Sequence, residues 1–145
     1  MEQYISNSLE KVFEPAVAQR VKYTANEGMV VISTANTNLN GTGTIGTVFT
    51  SGVANGTLIK TITIKATGNT TRGMVRLFLS DSGPTFTDCI AEIPIPETTI
   101  SSVDKAFSIM LEVDFMLLNQ WVLGVSTEKA ESFVVIAECL DTAFP

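Results

Sequence analysis

From Gly28 onward the sequence runs with a period of two, broken at short intervals by turn residues, and this alternation removes most folds from consideration. Apolar and polar residues that alternate over four to eight positions describe a strand with one buried face. Such runs cover residues 28–35, 46–50, 57–67, 73–80, 86–95, 105–116, 120–126 and 132–140. Turn signals separate them: Asn55-Gly56, Gly68 to Thr71, and Asp81-Ser82-Gly83-Pro84. No helical stretch of crossover length lies between these runs. A parallel α/β sheet needs such crossovers and is therefore excluded. About eight short strands at close spacing predict a sandwich or barrel. The expected fold class is all-β: an antiparallel two-sheet β-sandwich, jelly-roll-like, with an immunoglobulin-like strand order as the alternative.

The first 27 residues follow another pattern. Ile5, Leu9, Val12 and Phe13 recur at helical spacing, Ser6 or Ser8 can cap the turn, and Pro15 would end it. The expected organisation is an N-terminal arm or short helix over 1–27 and a β-sandwich domain over 28–145. The arm is expected to dock on another chain, with Ile5, Leu9, Val12 and Phe13 as its contact residues. The start of the chain lacks a basic segment followed by an apolar core, and no run approaches the length of a membrane span. The expectation is synthesis in a cytoplasm and no membrane partner.

The alternation also assigns faces. Val75, Leu77 and Leu79 should point inward, as should Phe107, Ile109, Leu111, Val113 and Phe115, and Phe133, Val135, Ala137 and Cys139. The opposite faces are not uniformly polar. Met74 and Phe78 flank Arg76, Val134 and Ile136 share a face with Glu138, and Met110 lies beside Glu112. Neighbouring loops or the arm could cover these faces. Otherwise they form a partner interface, because large exposed apolar patches usually mark one. Met74, Arg76 and Phe78 are the expected interface residues on the sandwich.

The chain contains no histidine, which removes the usual general acid–base, the Ser-His and Cys-His pairs and the commonest metal ligand. Two isolated cysteines, Cys89 and Cys139, cannot complete a zinc site. They are read as free, buried, small apolar residues, with a cross-strand disulfide as the other option. Gly41-Thr42-Gly43-Thr44-Ile45-Gly46 matches a dinucleotide-binding fingerprint, but a strand-like run follows it where a helix is needed, and the next acid is Asp81. Those glycines are read as serving an irregular loop. Glu112 and Asp114 share a strand face, where solvated carboxylates are the ordinary case. Trp121 could stack on a sugar but sits in an alternating run with Leu123 and Val125, as a core residue would. No catalytic residue, cofactor or metal is expected, and the chain is read as a non-enzyme.

The net charge of −6 argues against nucleic acid as a partner. The charge is segregated along the chain. Residues 28–80 carry Lys60, Lys65, Arg72 and Arg76 and no acid, a net of +4, whereas residues 81–145 carry a net of −9. If these parts form separate surfaces, copies attract head to tail. A homo-oligomer is expected, a trimer, because ring oligomers suit symmetric shell positions and fibres.

Several segments resemble a known family. Ala54-Asn55-Gly56-Thr57, Ile62-Thr63-Ile64-Lys65-Ala66-Thr67-Gly68, Gly73-Met74-Val75-Arg76-Leu77-Phe78 and Ile93-Pro94 stand in an order that resembles small all-β virion structural proteins of tailed bacteriophages. The resemblance spans about residues 45–140. It implies a particle component, and no family site motif carries a functional residue over. The expected function is an auxiliary or decoration protein on the capsid surface, partnered with the major capsid protein or another virion protein. The alternative is a tail or head-fibre module that binds a host receptor or glycan.

Overall fold

A computed structural model describes residues 20–81 and 83–144. Eight strands follow in order: β1 (Lys22–Ile32), β2 (Gly46–Thr50), β3 (Thr57–Ala66), β4 (Gly73–Ser80), β5 (Asp88–Ile95), β6 (Ser108–Leu117), β7 (Val122–Thr127) and β8 (Phe133–Ala143). They form two four-stranded sheets, ordered β1-β8-β3-β6 and β2-β7-β4-β5. All strand pairings within them are antiparallel. The chain changes sheet at each connection except the β4–β5 hairpin, and this alternate crossing with these two orders is a jelly roll. The sandwich predicted from the alternation is the observed fold.

The core lies between the sheets. Val75, Leu77, Phe133, Val135, Ala137 and Cys139 are buried there, as the period requires, with Ile59, Ile62 and Ile64 of β3. Phe107, Ile109, Leu111, Val113 and Phe115 point the same way but are only partly buried. The cause is the position of β6 at an edge, where no further strand covers one flank.

Two departures from a regular period shape the sheets. Ile59 faces Cys139 while Thr61 faces Glu138, so Lys60 is an extra residue in β3. This bulge puts Lys60 and Thr61 on one side and resets the inward set from Thr57 and Ile59 to Ile62, Ile64 and Ala66. Across from it, Asp114 of β6 adopts a positive φ of 43° and pairs with the Lys60 ammonium. At the sandwich corner, Gly28 of β1 lies under β2. A Cβ at that position would stand 2.1 Å from the Val48 carbonyl oxygen, so only glycine lets the two sheets close there.

β1 begins at Lys22, so residues 22–27, read from the sequence as arm, are strand and pair with residues 138–143 of β8. Most of that stretch is exposed at a sheet edge, which leaves no alternation to read. Ile5, Leu9, Val12 and Phe13 lie outside the described residues.

Candidate functional site

The sandwich has two outer faces, and its own chain treats them differently. On the β2-β7-β4-β5 sheet, Met74, Arg76 and Phe78 project outward from β4, opposite the core set Val75, Leu77 and Leu79. Their neighbours on β7 are Gly124 and Ser126. Phe78 is nevertheless fully buried. Phe86 covers it edge-on, and Val122, Ile45 and Cys89 complete a second small core. Gly124 makes room for Phe86: a Cβ there would lie 2.5 Å from the ring.

The segment 33–45 completes the cover. Asn36 holds it closed: its Nδ2 donates to the carbonyls of Thr42 and Thr44 at 3.0 Å, its Oδ1 accepts from the Asn38 N–H, and its own N–H donates to Thr127 O at 2.8 Å. Gly41 and Gly43 take φ near +82° and +83° in this loop, and a Cβ on Gly41 would strike the Phe86 carbonyl oxygen at 2.0 Å. The glycine-rich motif is thus the turn chemistry of a lid.

Arg76 is buried beneath this cover and donates from Nε to Glu92 Oε1 at 2.9 Å. The expectation that Arg76 and Phe78 form an open partner interface is corrected: Phe86 and the 33–45 segment occupy that face. Only Met74 is left half-buried, at the rim of an open groove of about 460 Å³ with Arg72, Pro94, Pro96 and Glu128.

The outer face of the β1-β8-β3-β6 sheet has no such cover among the described residues. The strand register arranges it in rows across all four strands. One row reads Val31, Val134, Lys65, Ser108; the next Met29, Ile136, Thr63, Met110; the third Glu27, Glu138, Thr61, Glu112. Met29, Val31 and Met110 are 65%, 57% and 62% exposed. The outward placement expected of Val134, Ile136 and Met110 is found, beside the glutamates as the alternation required. Met29 and Val31 were not assigned from the sequence, because Met29-Val30-Val31-Ile32 is apolar on both faces and its period has no visible phase.

Lys60 lies next to the third row. Its hydrogen bond to Asp114, then the charge of that carboxylate, and to a smaller degree Glu112, hold its ammonium above the ordinary lysine value. Glu27 and Glu138 stand directly opposite each other, an arrangement of like charges that weakens a strand pair.

This register also overturns the separation of charge into two surfaces. β3, from the basic stretch, lies between β8 and β6, both from the acidic stretch. Lys60 meets Asp114, and in the other sheet Arg76 meets Glu92. Strand order interleaves what sequence order had separated, so the head-to-tail ring loses its electrostatic premise.

Cys89 and Cys139 are both free, Cys89 against the small second core and Cys139 in the main one. Burial, and then the nearby Asp141 and Glu138, push the Cys139 thiol up to about 11. Among the described residues no group of His, Cys, Asp or Glu side chains is placed to hold a metal ion. None of the described residues forms a helix long and apolar enough to cross a membrane. Trp121 is half-buried against the core, at the edge of a small groove of about 160 Å³ with Leu79, Asp81, Thr87, Asp88 and Ile90.

No protein-family model and no curated protein matches the sequence.

Proposed function

We propose that this chain is a non-enzymatic virion structural protein of a tailed bacteriophage, an auxiliary or decoration protein attached to the capsid through the major capsid protein or another virion protein. The observation that carries the reading is the asymmetry of the sandwich. On one outer face the chain's own lid covers Phe78 and Arg76 and leaves a groove at Met74, whereas the other presents Met29, Val31 and Met110 to its surroundings. Exposed apolar side chains gathered on one rigid sheet suit contact with protein better than turnover of a small substrate. The order of the segments 54–57, 62–68 and 73–78, resembling tailed-phage virion proteins, supplies the setting.

Immunogold labelling of purified particles from a producing host tests the reading. Label over the heads is the expected result, and particles that carry none of this protein would overturn it. A second reading, a tail or head-fibre module that binds a glycan, is favoured by the groove where Trp121 stands with Asp81 and Asp88. An aromatic edge beside carboxylates suits a sugar's apolar face and hydroxyls. Label confined to the tail or fibres, with glycan-array binding lost in Trp121→Ala, would favour this second reading.

A further inference from the structure

We propose that two copies of this chain pair face to face through the outer surface of the β1-β8-β3-β6 sheet, about a two-fold axis that runs along the row Met29, Ile136, Thr63, Met110. The argument is one of self-complementarity. A rotation about that row sets each of its residues against the same residue of the second copy. The flanking rows then exchange places: Val31, Val134, Lys65 and Ser108 of one copy lie over Glu27, Glu138, Thr61 and Glu112 of the other.

Lys65 stands in the β3 column, so it lands over Thr61 of the second copy, between Glu138 and Glu112. Strand spacing of about 4.8 Å puts both carboxylates within reach of a lysine side chain. The two-fold repeats this contact, which gives two such clusters. Ser108 faces Glu112 and can donate to it. Glu27 lies on the edge strand β1, at the rim, where it keeps its water. Lys60 is already paired with Asp114 and takes no part. An axis through the row of Glu27, Glu138, Thr61 and Glu112 would set glutamates on glutamates, one through the row of Val31, Val134, Lys65 and Ser108 would set Lys65 on Lys65, and one through Ala25, Leu140, Leu58 and Met116 would leave Lys65 without a facing carboxylate, so the charge pattern favours this one.

The dimensions fit a weak dimer. The axis row lies three residues from the Ile32 end of β1, so about seven residues of each strand overlap, about 24 Å by about 15 Å across the four strands, or roughly 350 Å² a side. A total near ~700 Å² is below that of stable interfaces and describes a weak, transient dimer. Sheets packed this way keep their strands within about 30° of alignment, as in any aligned sandwich.

The pairing occupies the same face that carries the virion reading, so in a dimer the capsid contact would fall to other surfaces; a dimer found on no particle and a monomer found on capsids are different results. Sedimentation equilibrium of the full chain from about 1 to about 200 µM is the test. The expected result is a reversible dimer that Lys65→Glu weakens at least ten-fold. Adding Glu112→Lys and Glu138→Lys to that variant is expected to restore it. All three positions are exposed, so circular dichroism and melting of the variants are expected to match the parent. A monomer across the whole range, as expected if residues 1–19 or a capsid subunit cover the face instead, would overturn the proposal. So would a dimer indifferent to Lys65→Glu, or a triple variant that stays dissociated.

Discussion

The ring of Phe86 stands edge-on to that of Phe78, with centroids 6.3 Å apart and planes at 62°, in the space that Gly124 leaves open beneath it. This contact fastens the lid to the β2-β7-β4-β5 sheet and keeps Phe78 and Arg76 from solvent. A Cβ at Gly124 would also come within 2.8 Å of Ile45, so both lid segments would have to move. Gly124→Ala is expected to cost about 1–3 kcal/mol, measured by urea unfolding. Combining it with Phe86→Leu should cost less than the sum of the two changes, because they share one space. An unchanged midpoint in Gly124→Ala would show that the lid does not rest on β7.

Gly28 makes a harder constraint, because the atom it would strike is backbone. A Cβ there falls 2.1 Å from the Val48 carbonyl oxygen, and Phe49 is 3.1 Å away on the same side. No rotamer change relieves a clash with a carbonyl. Gly28→Ala is therefore expected to destabilise the domain by about 2 kcal/mol or more. Gly52 has open space around its Cα, and Gly52→Ala is expected to change the melting temperature little. Equal effects from the two substitutions would contradict the corner geometry.

Ser126 lies on β7 opposite Arg76, buried, and its hydroxyl has no hydrogen-bond partner among the described residues. Hiding an unpaired hydroxyl costs about 1–3 kcal/mol. Ser126→Ala removes that cost at almost constant volume. The variant is expected to be as stable as the parent or up to about 1 kcal/mol more stable by thermal melting. A marked loss of stability would mean that the hydroxyl is bonded after all.

The thiol of Cys139 is expected to be slow to react. Burial raises Cys139 from an ordinary value of 9.0 to about 11, so in the folded chain it stays protonated at pH 9. A thiol reagent at that pH should modify Cys89 first, because Cys139 is buried and held protonated while Cys89 is only half-buried and within reach. The same shift links to stability. The unfolded thiol ionises at a lower pH than the folded one, so the unfolded state gains as pH rises. The contribution is fully present below pH 9 and is lost as pH climbs through about 11. Cys139→Ala should flatten that part of the stability profile, apart from any uniform loss through the small cavity it leaves.

The chain's local pattern determined where its strands lie. The bounds read for residues 46–50 and 73–80 are those of β2 and β4, because alternation and turn residues act over a few positions. Inward residues such as Val75 and Val135 follow from the same period. Alternation says only which residues share a face, however, and nothing of what covers that face. Phe78 beside Arg76 and Ile136 beside Glu138 read alike in sequence: an apolar residue next to a charged one, opposite a core set. Tertiary structure made them unlike. Phe86 of the β4–β5 connection and the 33–45 loop, the latter remote along the chain, close over Phe78, while Ile136 sits in a row between exposed Met29 and Met110. Strand order likewise placed β3 between β8 and β6 and so dispersed a charge separation that was clear in the sequence. The first outcome depends on how loops pack over a sheet and the second on pairing between distant strands, and a pattern read over neighbouring residues contains neither.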